Sequence, residues 1–345
     1  MGKTKAIIYA FLAAVFYAIN VPASKIMLQE VGPTTMAALL YLGAGIGIGI
    51  LSLINKKDRD SSERLSKTDL PFVIGMIVLD IAAPIFLMLG ISYGSSANAS
   101  LLGNFEIVAT TVIALIIFKE AVSERLWAAI ALITLSSILL SFEGTESFRF
   151  SYGSLFVIVA TVCWGFENNC TRNISSKSTY EIVVLKGVFS GLGALVIALL
   201  KRELMPGVGD IAAALLLGFM SYGLSIFLYI RAQRVLGAAK TSAYYAVAPF
   251  VGVFLSFVLL RERLSLMYLA ALIVMIGGSF LVVADTLVRH HVHQHQHTFI
   301  HTHGGATHEH TVTHTHEHNH YLSDKKHRHH HAQAELERLS GAMHS

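Results

Sequence analysis

From Ala6 to Leu287 the chain is a succession of apolar runs separated by short polar or glycine-containing breaks. The runs fall at about 6–27, 34–54, 70–92, 97–118, 125–142, 152–171, 179–200, 210–231, 239–260 and 266–287. Each is about 18 to 24 residues long, and a helix of that length, rising 1.5 Å per residue, crosses a hydrocarbon core of ~30 Å. The runs are continuously apolar, without the period-two alternation of a barrel strand, and in lipid a helix satisfies its own backbone. Ten membrane-spanning helices are therefore expected. Lys3 and Lys5 ahead of the first run resemble the start of a signal peptide, but the run is too long and no small-residue cleavage site follows, so it reads as the first span.

Composition agrees with this pattern. The chain has 345 residues, of which 54% are hydrophobic and 14% charged; soluble domains carry about 25% charged residues. With a mean hydropathy of +0.58, a soluble enzyme and a disordered chain are both excluded. The net charge of +4 suggests no nucleic-acid partner, because basic residues in a membrane protein gather at the cytoplasmic ends of helices. Placing the N-terminus inside leaves fifteen basic residues of the body, among them Lys56, Lys57, Arg64, Lys177 and Arg231, on the cytoplasmic side. Six remain outside: Lys25, Arg149, Lys201, Arg202, Arg261 and Arg263. The expected location is thus the inner or plasma membrane, multi-pass, with both termini cytoplasmic and Asn55–Asp69 a solvated cytoplasmic loop. Cys163 and Cys170 stand seven residues apart on one run, roughly 10 Å along a helix, too far for a disulfide.

The two halves resemble each other. "SANASLLGNFEIVATTVIALIIFKEAVS" in the fourth run aligns with "GAAKTSAYYAVAPFVGVFLSFVLLRERLS" in the ninth, matching Ser100 to Ser242 and Glu120 to Glu262. "FYAINVPASK" in the first aligns with "CWGFENNCTR" in the sixth, setting Asn20 opposite Glu167 and Lys25 opposite Arg172, and "IFLMLG" in the third meets "IFLYIR" in the eighth. A repeat of five spans, being odd, inserts its second copy upside down, and inverted repeats are an architecture of transporters with the substrate site near the midplane. The expected fold is an all-α integral membrane protein: a first five-helix repeat over 1–143, a second over 144–289, and a disordered cytoplasmic tail over 290–345.

In these residues the chain resembles the EamA family of the drug/metabolite transporter superfamily. The marks are Trp164-Gly165 in the sixth run, the small-residue starts of the fourth and ninth, and the endings at Glu120 and Glu262. The resemblance spans nearly all of 1–289. It implies ten helices around a cavity lined mainly by helices 1, 3, 4, 6, 8 and 9, and movement of metabolites, amino acids or related solutes. The chain departs from the family's Glu-Pro pair in the fourth run, where Ile107 follows Glu106, while in the ninth Pro249 follows Ala248. The tail has no counterpart in the general family.

Ionisable groups deep in a span cost at least ~2.5 kcal/mol on insertion scales, so each needs a partner, a cavity or a function. Asp80, Glu106 and Glu167 qualify by depth, and with no histidine before His290 a proton relay in the body would use these carboxyl groups. Each could equally tie helices together, and Asp80 could support the break at Pro84, which lacks the N–H for the Asp80 carbonyl. Asn168 and Asn169 beside Glu167, with Asn20 at the matched place, form the most polar midbody patch, and Tyr244 and Tyr245 are candidates to line the cavity. Lys25 and Lys186 read as residues that snorkel to an interface. More deep acid than base favours a cationic, zwitterionic or neutral solute over a phosphate ester. Cys163, Glu167 and Cys170 share a helical face, which offers a soft-metal reading against ordinary core packing. Gly43, Gly45, Gly47 and Gly49, like Gly187 and Gly191, form small faces for close packing within the chain, a homodimer interface being the alternative. Glu120 and Glu262 read as anchors near Arg125 and Arg263. No GxSxG, Walker A or HExxH pattern occurs in the body, so neither catalysis nor a required cofactor is expected.

All 18 histidines lie between His290 and His344. His291, His293, His295, His297, His301, His303, His308, His310, His314, His316, His318 and His320 repeat a His-x-His spacing with too few apolar residues to pack a core. Imidazole nitrogens suit zinc, nickel, cobalt and copper, so the tail reads as a disordered chelator, with a weak helical pattern over 332–339. The function expected from these observations is a secondary transporter of a small solute in the lipid bilayer, working by alternating access with proton coupling. The alternatives are a transporter of zinc, nickel or cobalt ions, and a membrane-anchored metal sensor that transports nothing.

Overall fold

The computed structural model describes residues 2–54, 63–118, 122–143, 149–174, 177–236, 241, 244–262, 265–286, 288–303 and 306–321. Helices occupy all ten expected runs: α1 Lys3–Met27, α2 Pro33–Ile54, α3 Leu70–Tyr93, α4 Ser96–Leu102, α5 Phe105–Phe118, α6 Glu124–Leu140, α7 Tyr152–Asn173, α8 Thr179–Leu200, α9 Val208–Gly218, α10 Ser225–Leu236, α11 Ala248–Leu260 and α12 Leu266–Thr286. Seven helical segments among the described residues are long and apolar enough to cross a membrane. Large apolar side chains such as Ile50, Val78, Val196, Phe257 and Phe280 are at least half exposed. In water such a surface would be an aggregation hazard; in a bilayer it is the face turned to lipid.

Two runs are broken where a continuous helix was expected. The fourth divides at Gly103 and Asn104 into α4 and α5, where Asn104 N–H bonds to Leu101 O and Glu106 N–H to Gly103 O in tight turns. In the ninth, helix at Tyr244 and Tyr245 gives way to a turn at Ala246 and Val247 before α11 begins with Pro249 in its first turn. The alignment of Ser100 with Ser242 places these breaks within a residue of each other in the two repeats. The eighth run passes through a π-helical segment, Phe219–Leu224, between α9 and α10.

The repeats interdigitate. α1 packs on α10 and α11, α2 on α8 and α9, and α3 on α7 and α8. Small residues make this possible at two crossings. A Cβ on Gly187 would stand 2.4 Å from the backbone nitrogen of Gly45, and one on Gly218 would stand 2.0 Å from the carbonyl oxygen of Leu40. The glycine faces therefore join α2 to α8 and α9 of the same chain.

Acidic side chains from distant loops cap the helices. Glu203 accepts from the backbone N–H groups of Thr34 (3.2 Å) and Thr35 (2.8 Å) at the start of α2. Glu262, expected to be an anchor, accepts from the N–H groups of Ser96 and Ala97, both at 2.8 Å, at the start of α4. Both satisfy donors that a helix start leaves unpaired. Lys25 Nζ donates to the carbonyls of Ile91 (2.6 Å) and Gly94 (2.7 Å) at the end of α3. The expected solvated loop is in part anchored, since Leu65 N–H donates to Glu181 (3.0 Å) and Lys177 pairs with Glu63 at 2.5 Å. Glu120, Arg263 and 332–339 lie outside the described residues.

The chain divides into two units, Met1–Asp285 and Thr286–Ser345. In the second, two backbone segments pair. β3 (Val288–His303) and β4 (Ala306–Tyr321) form an antiparallel ribbon, distinct from the short pair β1 (Phe142–Glu143) and β2 (Arg149–Phe150) in the first unit. The physical reason is period two: histidine alternates with Val, Gln, Thr and Ile, and β-branched residues fit a pleated strand. Composition alone conceals that alternation.

Candidate substrate site

α3, α7 and α8 bring three charges together inside the bundle. Lys186 Nζ stands 3.1 Å from Asp80 Oδ2 and 3.0 Å from Glu167 Oε1, bridging the first repeat to the second. Asp80 has no exposed surface, Glu167 has 2%, and the lysine side chain keeps 16%. Lys186 thus corrects the expectation of snorkelling: two turns into α8, its ammonium is held by carboxylates rather than by an interface. A buried ion is tolerated only when paired and hydrogen-bonded, and each carboxylate has a further donor. Tyr41 OH donates to Asp80 Oδ1 at 2.8 Å, and Thr171 Oγ1 donates to Glu167 one helical turn away.

A layer of aromatic and amide groups surrounds the triad. Trp164 Nε1 donates to Tyr41 OH at 3.4 Å, and the rings of Tyr41 and Tyr222 lie 5.2 Å apart. Asn20 Nδ2 donates to Tyr222 OH at 3.2 Å and Asn20 Oδ1 accepts from Ser24. Tyr222 reaches this layer from the π-helical segment, where the wider turn shifts the register of the side chains on either side. Glu106, in the first turn of α5, accepts from Asn168 Nδ2 at 2.6 Å, and the same amide lies 3.2 Å from Thr110 Oγ1. The break at Gly103 and Asn104 starts a new helix just before Glu106, so its carboxylate sits at the positive end of the α5 dipole.

Of the residues singled out from the sequence, Asp80 and Glu167 meet directly through Lys186. Glu106 and Asn168 meet each other, and Asn168 follows Glu167 on α7. Asn20 joins through Tyr222. Tyr244 is placed elsewhere, packed on the half-exposed Phe11 with ring centroids 5.3 Å apart. Its neighbour Tyr245 turns toward Tyr17 (5.9 Å) and Tyr229 (5.1 Å). Asn169 is a helix tie, donating to Gly165 O and Thr110 O. Among the described residues no group of three metal-ligating side chains could hold an ion, and Glu167 is engaged by Lys186, so the shared face with Cys163 and Cys170 is not a metal centre. Tyr41, Tyr222 and Lys186 were not among the expected site residues. The signal for Lys186 was the imbalance of three deep acids with no deep base to face them.

The chain is similar to known proteins along most of its length. The EamA-like transporter family matches twice, over residues 4–142 and 151–284. An uncharacterized transporter of Methanothermobacter thermautotrophicus is 27% identical over 291 residues, 78% of this chain and 83% of its own length. Uncharacterized transporters of Archaeoglobus fulgidus (22% identical; 79% of this chain, 96% of that one) and Bacillus subtilis (YyaM, 21%; 71% and 83%) are similar as well. A solved crystal structure shares the fold at a TM-score of 0.60 and 16% identity, covering 81% of this chain and 96% of its own. With the family matched in both halves, this helical, multi-pass membrane protein is a transporter rather than an enzyme, and the chain belongs to the EamA-like transporter family.

Proposed function

We propose that the chain carries a small cationic or zwitterionic solute by alternating access, with proton movement coupled through the carboxylates of the central cluster. The observation that carries this reading is the charge imbalance at the repeat interface. Asp80 and Glu167 share one ammonium, that of Lys186, while Glu106 is met by the neutral amide of Asn168. A buried carboxylate left without a counter-charge is costly, so the cluster favours a guest ammonium or a bound proton and disfavours a phosphate ester. The amide and phenol groups of Asn20, Asn168, Tyr41 and Tyr222 supply hydrogen bonds to orient such a guest. The repeats interdigitate around this point, the arrangement that lets one bundle rock against the other about a fixed site. The basic-residue bias favours the inner or plasma membrane with cytoplasmic termini.

A transition-metal ion as cargo finds less support in the body, where the described residues assemble no ligand set. The test is uptake into proteoliposomes of amines, amino acids, phosphate esters and zinc ions under an imposed pH gradient. Glu106→Gln and Glu167→Gln would be compared with the parent chain after each is shown to fold. Uptake of an amine or amino acid driven by the proton gradient and lost in Glu106→Gln supports the proposal. Flux confined to phosphate esters or zinc, or gradient-driven flux unchanged in both variants, overturns it.

A further inference from the structure

Away from the charged cluster, α2, α8, the π-helical segment and α10 enclose a partly open cleft of about 350 Å³. It lies near one end of the bundle: Thr179 opens α8, and Ile48 and Arg231 stand within two turns of the ends of α2 and α10. The lining is amphiphilic. Ile48, Val183 and Ile230 supply hydrocarbon, while Tyr180 and Arg231 bring a phenol and a guanidinium. The Arg231 guanidinium stands 4.8 Å from the centre of the Phe227 ring, and that ring meets Tyr180 at 5.8 Å between centroids. An aromatic pair bridging α8 and α10 thus braces the cation at the cleft. Tyr180 is only 7% exposed, yet its hydroxyl has no hydrogen-bond partner among the described residues. A buried phenol ordinarily finds one, and here the unpartnered hydroxyl belongs to a residue lining a cleft that also holds a cation.

We propose that this cleft binds one anionic phospholipid, with its phosphate on Arg231 and Tyr180 and an acyl chain along Ile48, Val183 and Ile230. Charge complementarity selects the phosphate: a guanidinium fork matches its oxygens with two parallel N–H···O bonds, and basic pockets between membrane helices take such headgroups. The apolar depth selects a lipid over a free phosphate ion, because an ion leaves the hydrocarbon walls wet whereas a chain covers them. The volume is at the small end of ligand pockets, about 300–1,000 Å³; it takes the phosphate and the upper part of one chain, and the remainder of the lipid stays in the bilayer. The basic-residue bias makes this the cytoplasmic leaflet. The site is separate from the buried carboxylates and rests on no assignment of the cargo.

The experiment purifies the full chain in a mild uncharged detergent and adds phosphatidylglycerol, phosphatidylcholine or inorganic phosphate. Bound lipid is counted by native mass spectrometry, and thermal unfolding is followed by helical circular dichroism. Phosphatidylglycerol should bind at one equivalent, at least about fivefold more tightly than phosphatidylcholine. Arg231→Gln should abolish that preference. Arg64→Gln, which removes a largely exposed cation outside the cleft, should change it by less than about twofold. Tyr180→Phe removes only the hydroxyl and keeps the shape of the ring, so it tests the site even where Arg231→Gln fails to fold. It should weaken phosphatidylglycerol about twofold to tenfold and leave the lipid-free protein at least as stable as the parent, since an unpartnered buried hydroxyl is a cost. Equal binding of the two lipids, equal losses in Arg231→Gln and Arg64→Gln, unaltered binding in Tyr180→Phe, or a thermal shift from inorganic phosphate as large as that from the lipid would each overturn the proposal.

Discussion

Replacing Lys186 by methionine keeps the length and most of the volume of the side chain and removes only the charge that joins Asp80 to Glu167. At separations of 3.1 and 3.0 Å and an effective dielectric of ~20, each ion pair has a Coulomb attraction of about 5 kcal/mol before desolvation is subtracted. The net loss is set by what remains: two buried carboxylates, Asp80 without exposed surface and Glu167 nearly so, with Tyr41 and Thr171 as their remaining donors among the described residues. Breaking a buried pair by removing one partner typically costs about 3–5 kcal/mol, because the survivors are stranded rather than because the pair itself was worth that much. Lys186→Met should therefore lose about 3–5 kcal/mol in a denaturant titration of the detergent-solubilised protein, read by loss of helical circular dichroism. The triple variant Asp80→Asn, Glu167→Gln, Lys186→Met removes all three charges and should regain most of that loss, since neutral groups of similar shape are tolerated where a lone charge is not. A Lys186→Met chain as stable as the parent, or a triple variant as unstable as the single one, would refute the ion triad as the organiser of the interface.

Gly187→Ala puts a Cβ 2.4 Å from the Gly45 backbone nitrogen, and overpacking of this kind should cost about 1–3 kcal/mol in the same titration. Gly209→Ala, with open space around the new methyl group, should be neutral or slightly stabilising. Burial alone would raise the Glu203 carboxyl, but hydrogen bonds from Thr34 and Thr35 outweigh it and hold the group below the ordinary glutamate value. Its contribution is therefore complete above the unfolded value of about 4.3 and is lost as pH falls through the lower folded value. Glu203→Gln should destabilise at neutral pH by about 1 kcal/mol, the scale of a lost helix cap, and the difference from the parent should vanish in strongly acidic buffer.

Lipid is what made the spans legible. A backbone in hydrocarbon must satisfy itself locally, so ten apolar runs translate into helices with boundaries that move by only a few residues, as α1, α2 and α8 show. Depth alone also picked out Asp80 and Glu167, since a carboxylate that far inside an apolar span needs a partner or a cavity. Partners are another matter, because they depend on which helices cross. Glu262 lies beside Arg263 in the chain yet caps Ser96 and Ala97, 165 or more residues away. Tyr41 and Tyr222 sit in apolar runs like any interfacial tyrosine, and only the crossing of α2 with the π-helical segment sets their rings together.

Lys186 marks the limit more sharply. Two turns into α8, a four-carbon stem reaches toward the interface or toward the bundle axis with equal ease, so its own position does not decide its role. Its surroundings do: three deep acids in a body without histidine demand a cation, and Lys186 is the only lysine or arginine within the span it occupies. The residue was visible from the start, and what gave it a role was a constraint that its neighbours share, charge balance within the membrane.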